Sequence, residues 1–104
     1  MKIRLEEKSL RLRLSPSEVD SLLTKDNLGQ DLQLGFEQSL RFELRLVDQV
    51  EPWPLKQTHQ VIGISVPKKD VREWALSVAI EWEQRLQNPE LLLLIEKDLK
   101  PKRS

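Results

Sequence analysis

The chain has 104 residues, with 17 Lys+Arg against 17 Asp+Glu, no cysteine and one histidine; 38% are hydrophobic and 33% charged. That length gives one domain, residues 1–100, whose core buries roughly two-thirds of the unfolded surface, followed by a basic polar tail at 101–104. Zero net charge argues against a nucleic-acid binder that works by neutralising phosphates, and without cysteine there is no disulfide framework, thiolate nucleophile or zinc ribbon.

The N-terminus reads MKIRLEEKSLRLRL, with charges interrupting any apolar stretch, so no signal peptide is expected. The longest apolar run, Leu91 to Ile95, falls far short of the roughly 20 residues of a membrane span. These features predict a cytoplasmic protein with no membrane partner. Ile3 and Leu5 alternate with Lys2, Arg4 and Glu6, and Leu10, Leu12 and Leu14 alternate with Arg11 and Arg13. Period-two alternation predicts two half-buried strands joined by a turn at Glu7-Lys8-Ser9.

Leu14-Ser15-Pro16-Ser17-Glu18-Val19 is the sharpest local signal. Ser15 fits the N-cap, Pro16 the first helical position and Glu18 the reciprocal partner of a capping box, with Leu14 and Val19 as a hydrophobic staple. A helix follows through Leu22 and Leu23, ended by Asp26-Asn27 and Gly29. Leu32 and Leu34 suggest a third strand, and Leu40, Phe42, Leu44 and Leu46 a fourth. Pro52-Trp53-Pro54 is stiff and extended, which predicts a loop from about Asp48 to Thr58.

Ile62, Ile64 and Val66 predict the next strand. Pro67 opens a second helix containing Val71, Trp74 and Ala75. Val78, Ile80 and Trp82 alternate again, and Leu91 to Ile95 reads as a central strand covered on both faces. Leu10, Leu12, Leu14, Glu18, Val19, Leu22 and Leu23 align without gaps on Ile62, Ile64, Val66, Asp70, Val71, Trp74 and Ala75. The expected fold is therefore α+β: a mostly antiparallel curved sheet or open barrel of about seven strands with two helices, built by βαββ duplication with the first strand as an extra edge.

Met1-Lys2-Ile3-Arg4, then Ser9-Leu10-Arg11-Leu12-Arg13-Leu14-Ser15, then Glu18-Val19, and at the end Leu94-Ile95-Glu96-Lys97-Asp98-Leu99-Lys100, resemble the terminal motifs of a small uncharacterised bacterial family of about this length. The chain departs from that pattern at Leu99, where the family carries Phe, and at Pro101, where it carries Cys. The resemblance implies a small α+β protein and no particular activity.

Arg4, Arg11, Arg13, Arg41 and Arg45 all alternate with leucines. If their strands were neighbours, they would form one guanidinium array with Glu6 and Glu43 interspersed, suited to a phosphorylated anion. The plainer reading is a solvated face laced with Arg–Glu pairs, each worth under about 1 kcal/mol. Glu81, Glu83, Glu90 and Glu96 lack a metal-binding spacing, and no metal or cofactor is expected. His59 lies beside no recognisable nucleophile. Trp53 is either a lid on the core or an anchor for a protein partner. Lys97, Lys100, Lys102 and Arg103, offset by Glu96 and Asp98, read as a solubilising tail. The three glycines form no phosphate-binding cluster. Two functional readings remain: a non-catalytic binding or protein-interaction module, pairing with another protein or with itself through edge strands, and a binder or hydrolase of a phosphorylated anion, with Glu43 as its metal or base residue.

Overall fold

The computed structural model describes residues 1–33, 35, 39–50, 54–87 and 90–99. The chain runs β1 (Lys2–Glu6), β2 (Ser9–Leu14), α1 (Pro16–Lys25), β3 (Asn27–Gln33), β4 (Ser39–Val47), β5 (Leu55–Thr58), β6 (Val61–Pro67), α2 (Lys68–Leu76), β7 (Glu81–Leu86) and β8 (Leu91–Lys97). The protein is α+β, with the strands arranged as two four-stranded sheets. The first has the order β1-β2-β8-β7 and the second β3-β4-β6-β5. In each sheet the central pair is parallel and both flanking pairs are antiparallel.

The alternating leucines set this arrangement. Leu10, Leu12 and Leu14 of β2, Phe42, Leu44 and Leu46 of β4, Ile64 and Val66 of β6, and Leu93 and Ile95 of β8 share one buried cluster with Val19 and Leu22 of α1 and Val71 and Trp74 of α2. Both sheets thus turn one face to a common core, and the intervening residues face outward. β8 is central, as its unbroken apolar run predicts.

α1 begins as its sequence dictates. Ser15 Oγ accepts from the Glu18 amide at 3.3 Å, and Glu18 Oε1 accepts from the Ser15 amide at 2.8 Å. Leu14 and Val19 are both buried. Asp26 caps the other end in the left-handed region at φ 57°. Its carboxylate binds Arg72 Nη1 at 2.7 Å and Lys68 Nζ at 3.3 Å, tying α1 to α2. Burial pushes the Asp26 carboxyl up, and the hydrogen bonds from Lys68 and Arg72 outweigh that, leaving it below the usual range.

The duplication is present, in a fuller form than expected. The extra edge β1 has a counterpart in β5, so the repeated unit is ββαββ, and each sheet joins a hairpin from one half to a hairpin from the other. β5 lies inside the expected Asp48–Thr58 loop. It pairs antiparallel with β6 through a two-residue turn at His59-Gln60, where Gln60 takes φ 60°. Two further boundaries differ. Gly29 sits within β3 instead of ending α1, because β3 starts directly after the Asp26 cap and pairs with β4 along its whole length. Val78 and Ile80 precede β7 and are exposed. Ser77 Oγ donates to the Trp74 carbonyl at 2.7 Å and accepts from the Ala79 amide at 3.1 Å, which holds those residues in a turn. Leu34 and the tail at 101–104 lie outside the described residues.

Candidate interaction surface

The outward faces of the two sheets carry most of the charge. On the second sheet, Arg41, Glu43 and Arg45 of β4 project together. Asp31 lies opposite Arg41, and Gly29 and Gly63 lie on either side of Glu43. Arg41 Nε donates to Glu43 Oε2 at 2.9 Å and its Nη1 to Asp31 Oδ1 at 3.0 Å, while Arg45 Nε donates to Glu43 Oε1 at 3.0 Å. The glycines make this possible: a Cβ added at Gly29 would overlap the Arg41 guanidinium, and one at Gly63 would touch Arg45. Hydrogen bonds from Arg45 and Arg41 hold the Glu43 carboxyl below the usual range, and Glu43 with Asp31 binds the Arg41 proton more tightly. The charges of this face are closed within the chain.

The first sheet is arranged differently. Its outward residues are Lys2, Arg4 and Glu6 on β1, Arg11 and Arg13 on β2, Leu92, Leu94 and Glu96 on β8, and Glu81, Glu83 and Arg85 on β7. The register sets Lys2 opposite Arg13, Arg4 opposite Arg11, and Glu81 opposite Glu96. Like charges placed directly across a strand pair destabilise it, so this face holds three cross-strand pairs that work against the isolated sheet. Its ion pairs are also long: Arg11 to Glu96 is 3.7 Å, Arg13 to Glu96 3.8 Å and Arg4 to Glu6 3.8 Å. Arg11 Nε and Glu96 Oε1 are buried without a hydrogen bond. Leu94 is 6% exposed, yet lies outside the core cluster.

The five arginines therefore divide between the sheets, because β2 and β4 are not neighbours. Arg4, Arg11 and Arg13 share one face with Lys2, and Arg41 and Arg45 share the other with Glu43. Lys2, Arg4, Arg11 and Arg13 border a shallow hollow of ≈ 180 Å³. A larger groove of ≈ 860 Å³ adjoins it, where the N-terminal ammonium pairs with Glu18 between Lys2, Arg13, Ser15 and Asp98. Burial pushes the Glu18 carboxyl up, but the hydrogen bonds from that ammonium and from Ser15 pull it further down, below the usual range.

Trp53 lies outside the described residues. Trp74 is buried and Trp82 packs against the core. Of the acidic set, Glu81, Glu83 and Glu96 share the first sheet's outward face, while Glu90 lies in the β7–β8 connection; among the described residues no group of three or more metal-ligating side chains converges. His59 is exposed in the β5–β6 turn. Lys97 does not belong to a free tail: its Nζ donates to the Ser77 carbonyl at 2.6 Å and lies 5.1 Å from the Trp74 ring centre. Sequence reasoning missed Lys2 as part of the arginine face, and Glu81 and Glu83 as its opposite border. The parallel β2–β8 pairing joins the two ends of the chain, and no local signal announces it.

A duplicated ββαββ α+β protein with two mixed sheets is the class these features define. More particularly, the chain belongs to a family of unknown function, DUF7009, whose sequence model matches residues 1–102. The resemblance to an uncharacterised small family holds at that level. No curated protein and no solved structure matches the chain. No helix among the described residues is long and apolar enough to cross a membrane.

Proposed function

We propose that this protein is a non-catalytic interaction module whose docking surface is the outward face of β1-β2-β8-β7. The observation that carries this reading is the set of like-charged neighbours Lys2/Arg13, Arg4/Arg11 and Glu81/Glu96. A face that serves only solubility gains from interspersed opposite charges, as the second sheet has. A face that groups Lys2, Arg4, Arg11 and Arg13 on one side and Glu81, Glu83 and Glu96 on the other, with Glu6 and Arg85 reversed at one end and Leu92 and Leu94 between, is costly alone and is relieved by a surface of complementary sign. The Asp26 and Glu43 carboxyls are held below the usual range by neighbouring cations, and Glu18 by the N-terminal ammonium and Ser15, as suits structural counter-ions and caps. The test places photo-reactive benzoylphenylalanine at Arg85 on β7 or at Thr58 on β5, both exposed positions on edge strands. In living cells, cross-links to a protein, whether this chain or another, are expected from position 85 and not from 58. Equal or absent cross-linking overturns the proposal.

The hollow bordered by Lys2, Arg4, Arg11 and Arg13 favours a second reading, a phosphorylated anion as ligand. Tripolyphosphate at about 100 times its dissociation constant would then add close to 2.7 kcal/mol to the unfolding free energy. Arg11→Ala with Arg13→Ala would abolish the gain, and no shift beyond that of sulfate removes this reading.

A further inference from the structure

We infer that the docking surface of the first sheet binds the same surface of a second copy of this chain, across a two-fold axis parallel to the strands and midway between β2 and β8. This rests on the reading of that face as an interaction surface and names its occupant. The argument is one of register. Three rows of outward side chains cross the sheet in the strand order β1, β2, β8, β7. The first row is Lys2, Arg13, Glu96, Glu81; the second Arg4, Arg11, Leu94, Glu83; the third Glu6, Ser9, Leu92, Arg85.

When two copies of one face meet, the two-fold axis lies in the plane between them. An axis parallel to the strands keeps each row level and reverses its order, so β1 meets β7 and β2 meets β8. Lys2 then faces Glu81 of the partner subunit, Arg13 faces the partner's Glu96, and Arg4 faces the partner's Glu83. In the third row the signs at both edges are inverted, and the match survives: Glu6 faces the partner's Arg85. The pairs Lys2/Arg13 and Glu81/Glu96 are each laid against opposite charge, Arg4 meets the partner's Glu83 while Arg11 meets the partner's Leu94, and the two Arg13–Glu96 pairs close into an alternating ring of four. An axis perpendicular to the strands pairs Lys2 with the partner's Glu6 and Glu81 with the partner's Arg85. It also stacks Arg4, Arg11 and Glu83 each on its own copy. The charge pattern selects the first axis.

Two aligned sheets pack at about 30°, an angle that long side chains accommodate. Four strands about 4.8 Å apart and about 20 Å long give a flat footprint of roughly 400 Å². That is small beside the roughly 800 Å² per partner of a standard interface, so the dimer is a weak, micromolar one. Its charges are rim-exposed, and it weakens as salt rises.

Sedimentation equilibrium of the full chain at low and physiological salt measures the dimer directly. Arg4→Glu and Glu83→Arg each place like charges in contact twice per dimer and are expected to raise the dissociation constant roughly 100-fold. Mixed in equal amounts, the two variants are expected to form a 1:1 heterodimer of near wild-type affinity, because both contacts then become opposite in sign. The two positions are three strands apart in one chain, roughly 14 Å, so contact within a chain does not mimic the rescue. Arg4 and Glu83 are exposed, and an unchanged circular dichroism spectrum verifies folding. A wild type that stays monomeric at all concentrations overturns the dimer; cross-links from position 85 to a different protein would then leave the interaction surface standing, and their absence would remove both. A dimer that the mixture fails to restore lies on another surface and also overturns this inference.

Discussion

The two sheets repeat one plan and finish their outward faces in opposite ways. On β3-β4-β6-β5, Arg41, Arg45 and Asp31 close around Glu43, and Gly29 and Gly63 leave room beside it. On β1-β2-β8-β7, like charges lie side by side at Lys2/Arg13, Arg4/Arg11 and Glu81/Glu96, and the ion pairs stretch to 3.7–3.8 Å. The folding unit constrains the inward residues of both sheets alike. It leaves the outward ones free, and there one face closes its charges within the chain while the other keeps like charges side by side.

Leu94→Ala is the strongest way to break this comparison. Leu94 is buried on the outward side of β8, so its truncation is expected to lower the unfolding free energy by about 2 kcal/mol in urea titrations. A loss under about 0.5 kcal/mol would mean that this leucine strip contributes little to the monomer.

Glu43→Gln and Glu96→Gln sharpen the comparison. Glu43→Gln removes the charge that Arg41 and Arg45 share, leaving Arg41 its Asp31 contact, and is expected to cost about 0.5–1 kcal/mol, whereas Glu96→Gln, with its long contacts, should change stability by less than about 0.5 kcal/mol. The pH dependence has a definite sign. Glu43 and Glu18 sit below the ordinary glutamate value of 4.5, so their contribution is present above that pH and is lost as pH falls through their lowered values. Thermal melts from pH 6 down to about 2 should therefore show Glu43→Gln with a shallower acid loss than wild type. Parallel curves would show that Glu43 is no better held folded than unfolded.

The smallest effect belongs to the glycines. Gly29→Ala displaces the Arg41 guanidinium from Asp31 and Glu43, while at Gly63 a methyl group meets Arg45 at 3.4 Å. Gly29→Ala is expected to be the less stable of the two by a few tenths of a kcal/mol in paired denaturation curves. The reverse order would show that Arg41 relocates freely.

Much of the fold was legible because its causes are local. The Ser15–Glu18 capping box and the alternations of β1, β2, β4 and β6 each depend on residues a few positions apart, and these elements formed where expected, as did the two units of the gapless match of Leu10–Leu23 with Ile62–Ala75. Errors came where a distant partner overrode a local cue. Leu55–Thr58 became a strand because β6 offered an antiparallel edge, and Gly29 stayed in β3 because Arg41 needed the space above it. The five arginines were legible as outward-facing and not as two groups.

Sequence alone determined the core faces of β2, β4, β6 and β8, where both helices begin, that the chain is duplicated, and the chemistry it lacks with no cysteine and a single histidine. Only the tertiary structure decided that β2 pairs with β8 and β4 with β6. Period-two patterning assigns a strand its faces but carries no label for its neighbour. Strand order therefore placed Glu81 and Glu83 across from Lys2 and Arg4, and sorted the charges of one face while closing those of the other.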